Sequence, residues 1–269
     1  MKIKVLRLPT LSLGLALALG LSAIDASAVS LSSPSVYLGS NMSINNLNGG
    51  SATSSAWSGA VETNDGTSTF WAYCIDPKTT AQFGVNAYTM ASLNSFLNDP
   101  LPPPSGPTGY YQQMVPNYNG LSYGYQNPAT VESKLTTLFA HAYSDSLTSS
   151  VKAAAFGYAI WEIMGESAYS RTGGALRGAN GPGGLTTQID AYLTALNSNS
   201  WSSVNGADLS AIKTYQYTVY FDPNPHATQN FIRVEEMPGG DVPEPASLAL
   251  IGVALAGAGW ARRRAAVRA

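Results

Sequence analysis

Four residue types in this chain have the chemistry to react or to ligate, and each stands in a context that limits it. Cys74 is the single cysteine, set in Tyr73-Cys74-Ile75-Asp76 at the end of an apolar stretch. A lone thiol cannot close an internal disulfide, so it is a buried small hydrophobe, a nucleophile, or a link between chains. Glu162 and Glu166 stand four apart, a spacing that puts two carboxyl groups on one face of a helix. A glycosidase needs two such groups, but usually draws them from different elements, and paired acids on one helix are expected to be solvated. His141 and His226 are the only histidines, with no acidic or cysteine cluster beside them, so a zinc site is poorly supported. Serine is abundant, yet no Gly-x-Ser-x-Gly is present. No catalytic residue, cofactor or metal is assigned on these grounds, and the chain is expected not to be an enzyme.

The elements that must position these groups read as follows. Residues 67–75 are rich in Thr, Phe, Trp and Tyr and suit a buried strand, entered through Asn64-Asp65-Gly66, where Asp-Gly tolerates positive φ. Short strands are expected around 36–38 and 56–61. Residues 89–97 suit a short helix, and the proline-rich stretch 100–107 an extended loop. Five tyrosines follow between 110 and 126; they either plug the core or, as Tyr110, Tyr118 and Tyr123, line a sugar-sized cleft. Three helices come next. Residues 128–143 align Val131, Leu135, Leu138, Phe139 and Ala142 on one face. Residues 150–165, capped by Thr148 or Ser149, are apolar on every side apart from Glu162 beyond Ala153, which marks the central buried helix of a domain. Residues 186–196 are amphipathic, after a glycine-rich loop at 173–184 with no phosphate-binding pattern. Alternation at 215–221 and the run 230–234 give two closing strands. The fold class is therefore α+β, a β-rich body with a helical insertion.

Both ends carry targeting patterns. Lys2, Lys4 and Arg7 precede an apolar run, and Ala26-Ser27-Ala28 is a small-x-small cleavage site, so residues 1–28 read as a secretory signal peptide with Val29 first in the mature chain. At the other end, Pro243-Glu244-Pro245 is held extended by its two prolines, an uncharged run of 16 residues follows, and Arg262-Arg263-Arg264 closes it. That run is slightly short of the ~17–25 residues of a usual spanning helix and crosses only with bilayer thinning or snorkelling arginines, which mark the cytoplasmic side. One C-terminal transmembrane helix is thus expected within residues 242–269, leaving 29–241 as the exported domain. Three of the 14 Lys and Arg lie in the signal and four in the tail, so the exported domain keeps seven, against 14 acids, a net charge of about −7. Without clustered cations, nucleic acid is excluded as a partner.

The tail resembles the PEP-CTERM sorting signal of exosortase substrates. The resemblance implies signal peptidase and the secretion machinery as early partners, a transient stay in the inner membrane of a Gram-negative bacterium, and cutting near Pro-Glu-Pro by exosortase. It further implies release to the cell surface or the exopolysaccharide matrix. A second resemblance joins Tyr73-Cys74-Ile75-Asp76 to Phe156-Gly157-Tyr158-Ala159-Ile160-Trp161. The pair is similar to the Cys-Gln thioester domain of bacterial adhesins, in which a Tyr-Cys-Ile-Asp-like strand faces a Thr-Gln-x-Ala-Ile-Trp helix and thiol and carboxamide condense. Here Gly157 stands where the glutamine would be and Phe156 where the threonine would be. Glycine supplies no acyl group, so the resemblance implies a degenerate relative in which Cys74 is retained without its partner.

Overall fold

The computed structural model describes residues 28–45, 53–84, 87–99, 109–115, 124–224 and 227–238. The expected signal peptide up to residue 27, the proline-rich loop, Tyr118, Tyr123, His226 and the whole C-terminal tail lie outside the described residues.

Among the described residues, eight strands form one antiparallel sheet: β1 (Val29–Ser30), β2 (Val36–Asn45), β3 (Thr53–Asn64), β4 (Thr69–Cys74), β5 (Ala87–Ser92), β6 (Arg177–Asn180), β7 (Tyr215–Phe221) and β8 (Phe231–Glu236). Their order across the sheet is β1-β5-β7-β8-β4-β3-β2-β6. Helices α1 (Leu93–Asn98), α2 (Tyr110–Met114), α3 (Pro128–Ser146), α4 (Ser150–Gly165) and α5 (Leu185–Ser198) all fall between β5 and β7, which pair directly. The protein is therefore an α+β fold in which a helical insertion separates two neighbouring strands of a β-sheet body. Among the described residues, no helix is long and apolar enough to cross a membrane.

Strand alternation divides the side chains between two cores. Met42, Ile44, Ala60, Tyr73, Val219, Ile232 and Val234 face the helices in the larger one. Val61, Phe70, Ala72, Cys74, Tyr220 and Phe231 face the other way, under Leu31 of the N-terminal segment and Ala81 and Phe83 of the loop after β4. The central helix is α4. Every residue from Ala153 to Gly165 is buried, as expected of a helix that is apolar all round, and the Ser149 hydroxyl caps it by accepting from Lys152 N. It packs on β2 and β3 and between α3 and α5. Its aromatic centre is Phe156, with its ring 4.7 Å from Tyr73 and 4.9 Å from Phe139.

Three local expectations change. Residues 87–92 form strand β5 and the helix begins only at Leu93. Tyr88 and Met90 alternate with Ala91 across the two cores, and the Ser92 hydroxyl accepts from Ser95 N as an N-cap. The glycine-rich stretch contains a short edge strand, β6, paired with β2. Tyr110 and Tyr111 begin helix α2 rather than standing on a loop, and both plug the core, the first of the two roles open to them.

Candidate functional site

Cys74 is the last residue of β4, and alternation points its thiol into the smaller core. The side chain is 8 % exposed. Burial, with the nearby charge of Asp76 as a lesser cause, pushes the thiol up to about 12. It is therefore protonated at neutral pH, and the thiolate that attacks an acyl or disulfide group is not formed. The Cys74 main chain meets α4 instead: Trp161 Nε1 donates to the Cys74 carbonyl at 3.1 Å.

Gly157 lies on the opposite side of the sheet from that thiol. It is a point of close approach between α4 and β3, and the Ser58 hydroxyl donates to the Ala154 carbonyl at 2.9 Å beside it. A Cβ at 157 would stand 2.4 Å from Ser58 Oγ and 3.1 Å from Gly59 N. A side chain there must displace the Ser58 hydroxyl and crowd the β3 backbone, so the glycine suits the close packing of this interface. The structure does not bring the Cys74 thiol and position 157 together.

The carboxyl pair departs from expectation more sharply. Glu162 and Glu166 are both buried, Glu162 fully at 0 % exposure. Glu166 Oε1 accepts from Ala175 N and Leu176 N, each at 2.8 Å. Its other oxygen occupies the space a side chain at Gly174 would need: a Cβ there would lie 1.5 Å from Glu166 Oε2, and φ is +70°. Only glycine meets both conditions. Glu162 Oε2 accepts from Ser170 N at 3.1 Å, while Oε1 is buried with no hydrogen-bond partner among the described residues. Burial first, and the Glu166 charge second, push the Glu162 carboxyl up to about 8. Burial also raises Glu166, against the pull of its two amide donors. The sequence signal for this was present: a carboxyl group on a helix apolar all round has no route to water. The pair ties the 166–178 loop to the end of α4. It lines none of the clefts beside α3, α5 and β3.

The remaining candidates have structural partners. His141 stacks on Trp201, centroids 4.7 Å apart and planes at 5°, and its Nδ1 lies 2.7 Å from the Leu209 carbonyl. No group of three or more His, Cys, Asp or Glu suited to a metal occurs among the described residues. Tyr110 does not line a sugar cleft; it is buried against Phe221 at 4.5 Å and donates to Asn230 Oδ1 at 3.2 Å.

An open cleft lies at the end of β4; its lining includes Cys74, Asp76 and Trp161 of the two segments singled out in the sequence, together with residues of β3 that were not. Strand β3 pairs with β4 only from Ala60 to Asn64, so its first residues, which pair with β2, have no strand on their other side among the described residues. The loop after β4 diverges there and leaves a cleft of about 440 Å³ between itself and β3. Tyr37 and Trp57 stand in its wall as an edge-to-face pair, centroids 5.8 Å apart at 87°. An aromatic on a polar, Gly- and Ser-flanked strand is the signal that would have found it.

The sorting residues Pro243, Glu244, Pro245, Arg262, Arg263 and Arg264 lie outside the described residues, as does Ala26 of the signal site. Ala28 is the first described residue, and Val29 pairs with Tyr88 as the start of β1. No curated protein matches the chain, and no solved structure does. Family comparison matches residues 241–264 to the PEP-CTERM protein-sorting motif, so the chain ends in a signal of the kind that sends an exported protein to exosortase.

Proposed function

We propose that this is an exported, exosortase-processed protein of the cell surface or extracellular matrix of a Gram-negative bacterium. It acts by binding, in adhesion or in building an exopolysaccharide or biofilm matrix, and not by catalysis. The observation that carries the reading is the match at residues 241–264, where Pro243-Glu244-Pro245, the uncharged run and Arg262-Arg263-Arg264 follow in order. An ordinary C-terminal anchor needs the run and the arginines but not the Pro-Glu-Pro. The ectodomain, residues 29–241, is a degenerate relative of thioester domains. In support, the Tyr73-to-Asp76 segment ends a strand beneath α4, and Trp161 of that helix holds the Cys74 carbonyl. A protonated, buried thiol and a crowded Gly157 fit a domain that has kept the scaffold without the covalent chemistry.

Changing Pro243, Glu244 and Pro245 together to alanine is the test. The triple variant is expected to accumulate uncut in the inner membrane, while the unchanged chain reaches the exterior. Recovery of the variant outside the cells at the size of the unchanged protein would refute the sorting reading.

A further inference from the structure

The cleft beside β3 has the composition of a site for sugar rings. Tyr37 is 59 % exposed, among the few large apolar side chains of the surface, and Trp57 is half-buried beneath it. An exposed ring face held rigid by a second ring covers the apolar C–H face of a pyranose at little entropic cost. Around the rings the lining is hydroxyl-rich, with Ser54, Ser55, Thr79 and Thr80; Lys78 and Asp76 are its one basic and one acidic residue, and Trp161 closes the inner end. Asp76 contributes no open carboxylate. It is buried, with Oδ1 accepting from Lys78 N at 2.9 Å and Oδ2 from the Thr79 hydroxyl. Gln229 is fixed in turn by donating from Nε2 to the Asp76 carbonyl at 2.7 Å. The volume, about 440 Å³, falls within the roughly 300–1,000 Å³ of small-molecule sites. A groove for an added peptide strand would need apolar pockets for alternate side chains, and besides the rings this lining offers only the small apolar groups of Ala56, Cys74, Pro77 and Ala81.

We propose that this cleft binds an uncharged polysaccharide, with Tyr37 and Trp57 stacking on sugar rings and the surrounding hydroxyl groups bonding to theirs. The inference rests on the matrix reading above, and names what the protein holds there.

The test uses the processed protein recovered from outside the cells. Its mobility is measured in native gels containing the producing bacterium's own exopolysaccharide, separated by anion exchange into uncharged and acidic fractions. A third gel contains denatured casein. Retardation by the uncharged fraction is expected, weakened about fivefold to tenfold in both Tyr37→Ala and Trp57→Ala, the loss of one aromatic contact. Tyr37 is exposed, so its variant stays folded even where Trp57→Ala does not. Retardation only by the acidic fraction, only by casein, or by nothing would overturn the proposal, as would equal retardation of the Tyr37→Ala protein. The sorting test above does not depend on this outcome. A protein that binds glycan but leaves the cell without its Pro-Glu-Pro keeps this inference and loses that one.

Discussion

Trp161→Ala is expected to cost about 3–5 kcal/mol, the range for deleting a large buried aromatic. The side chain is 1 % exposed and sits on the helix against which α3, α5, β2 and β3 pack. Its loss opens a cavity at the junction of α4 with the end of β4 and leaves the Cys74 carbonyl without its indole donor. For a domain of this size, roughly 2–4 °C of melting temperature goes with each kcal/mol, so a fall of roughly 6–20 °C is expected. A thermal midpoint within a degree or two of the unchanged protein would show that α4 does not anchor the core.

Glu162→Gln is expected to stabilise the protein at alkaline pH. In the folded chain the Glu162 carboxyl keeps its proton to about pH 8, against an ordinary value of 4.5 once unfolded. Between those values the folded chain holds the proton that the unfolded chain releases. Stability is therefore fully present below about pH 4.5 and falls as pH rises towards 8. Glutamine keeps the shape, is neutral throughout, and brings an N–H₂ to the position where Oε1 has no partner. The groups facing this carboxyl are Glu166, Tyr158 and Tyr169, and neither tyrosine ionises in the window, since burial raises both. From pH 5 to pH 8 the unchanged protein should lose on the order of 2–4 kcal/mol more than Glu162→Gln. The two should be close at pH 5, with a residual slope in the variant from Glu166. Parallel stability curves across that range would contradict the burial of an ionisable carboxyl here.

The parts of the fold legible in the sequence were those written in one strong local pattern. Helix α4 has apolar residues on all faces and a serine cap, and its bounds follow from that. Strand β7 alternates apolar and polar residues from Tyr215 to Val219, and Asn64-Asp65-Gly66 turns the chain between β3 and β4 through the Asn64 side chain, which accepts from Gly66 N at 2.6 Å. What was not legible depends on partners distant in the chain. Residues 89–92 carry no strong preference of their own and become strand because β7 lies beside them. The reason for Gly157 is Ser58, nearly a hundred residues earlier, and the reason for Gly174 is the Glu166 carboxyl. The four-residue spacing of Glu162 and Glu166 did not itself show that they are buried; for Glu162 the apolar residues on every side of α4 did. The cleft arises from the different lengths of β3 and β4, which no single segment reveals.

The most direct measurement of the central claim is the intact mass of the protein recovered outside the cells. The account predicts a chain that begins at Val29 and ends close to Pro245, at the full mass of that sequence, with one thiol that reacts with an alkylating agent after unfolding. An internal thioester expels ammonia and would lower the mass by about 17 Da. A chain that still carries the apolar run and Arg262-Arg263-Arg264 would contradict exosortase processing. A deficit of about 17 Da that vanishes in Cys74→Ala would contradict the inert thiol and make the protein a covalent adhesin.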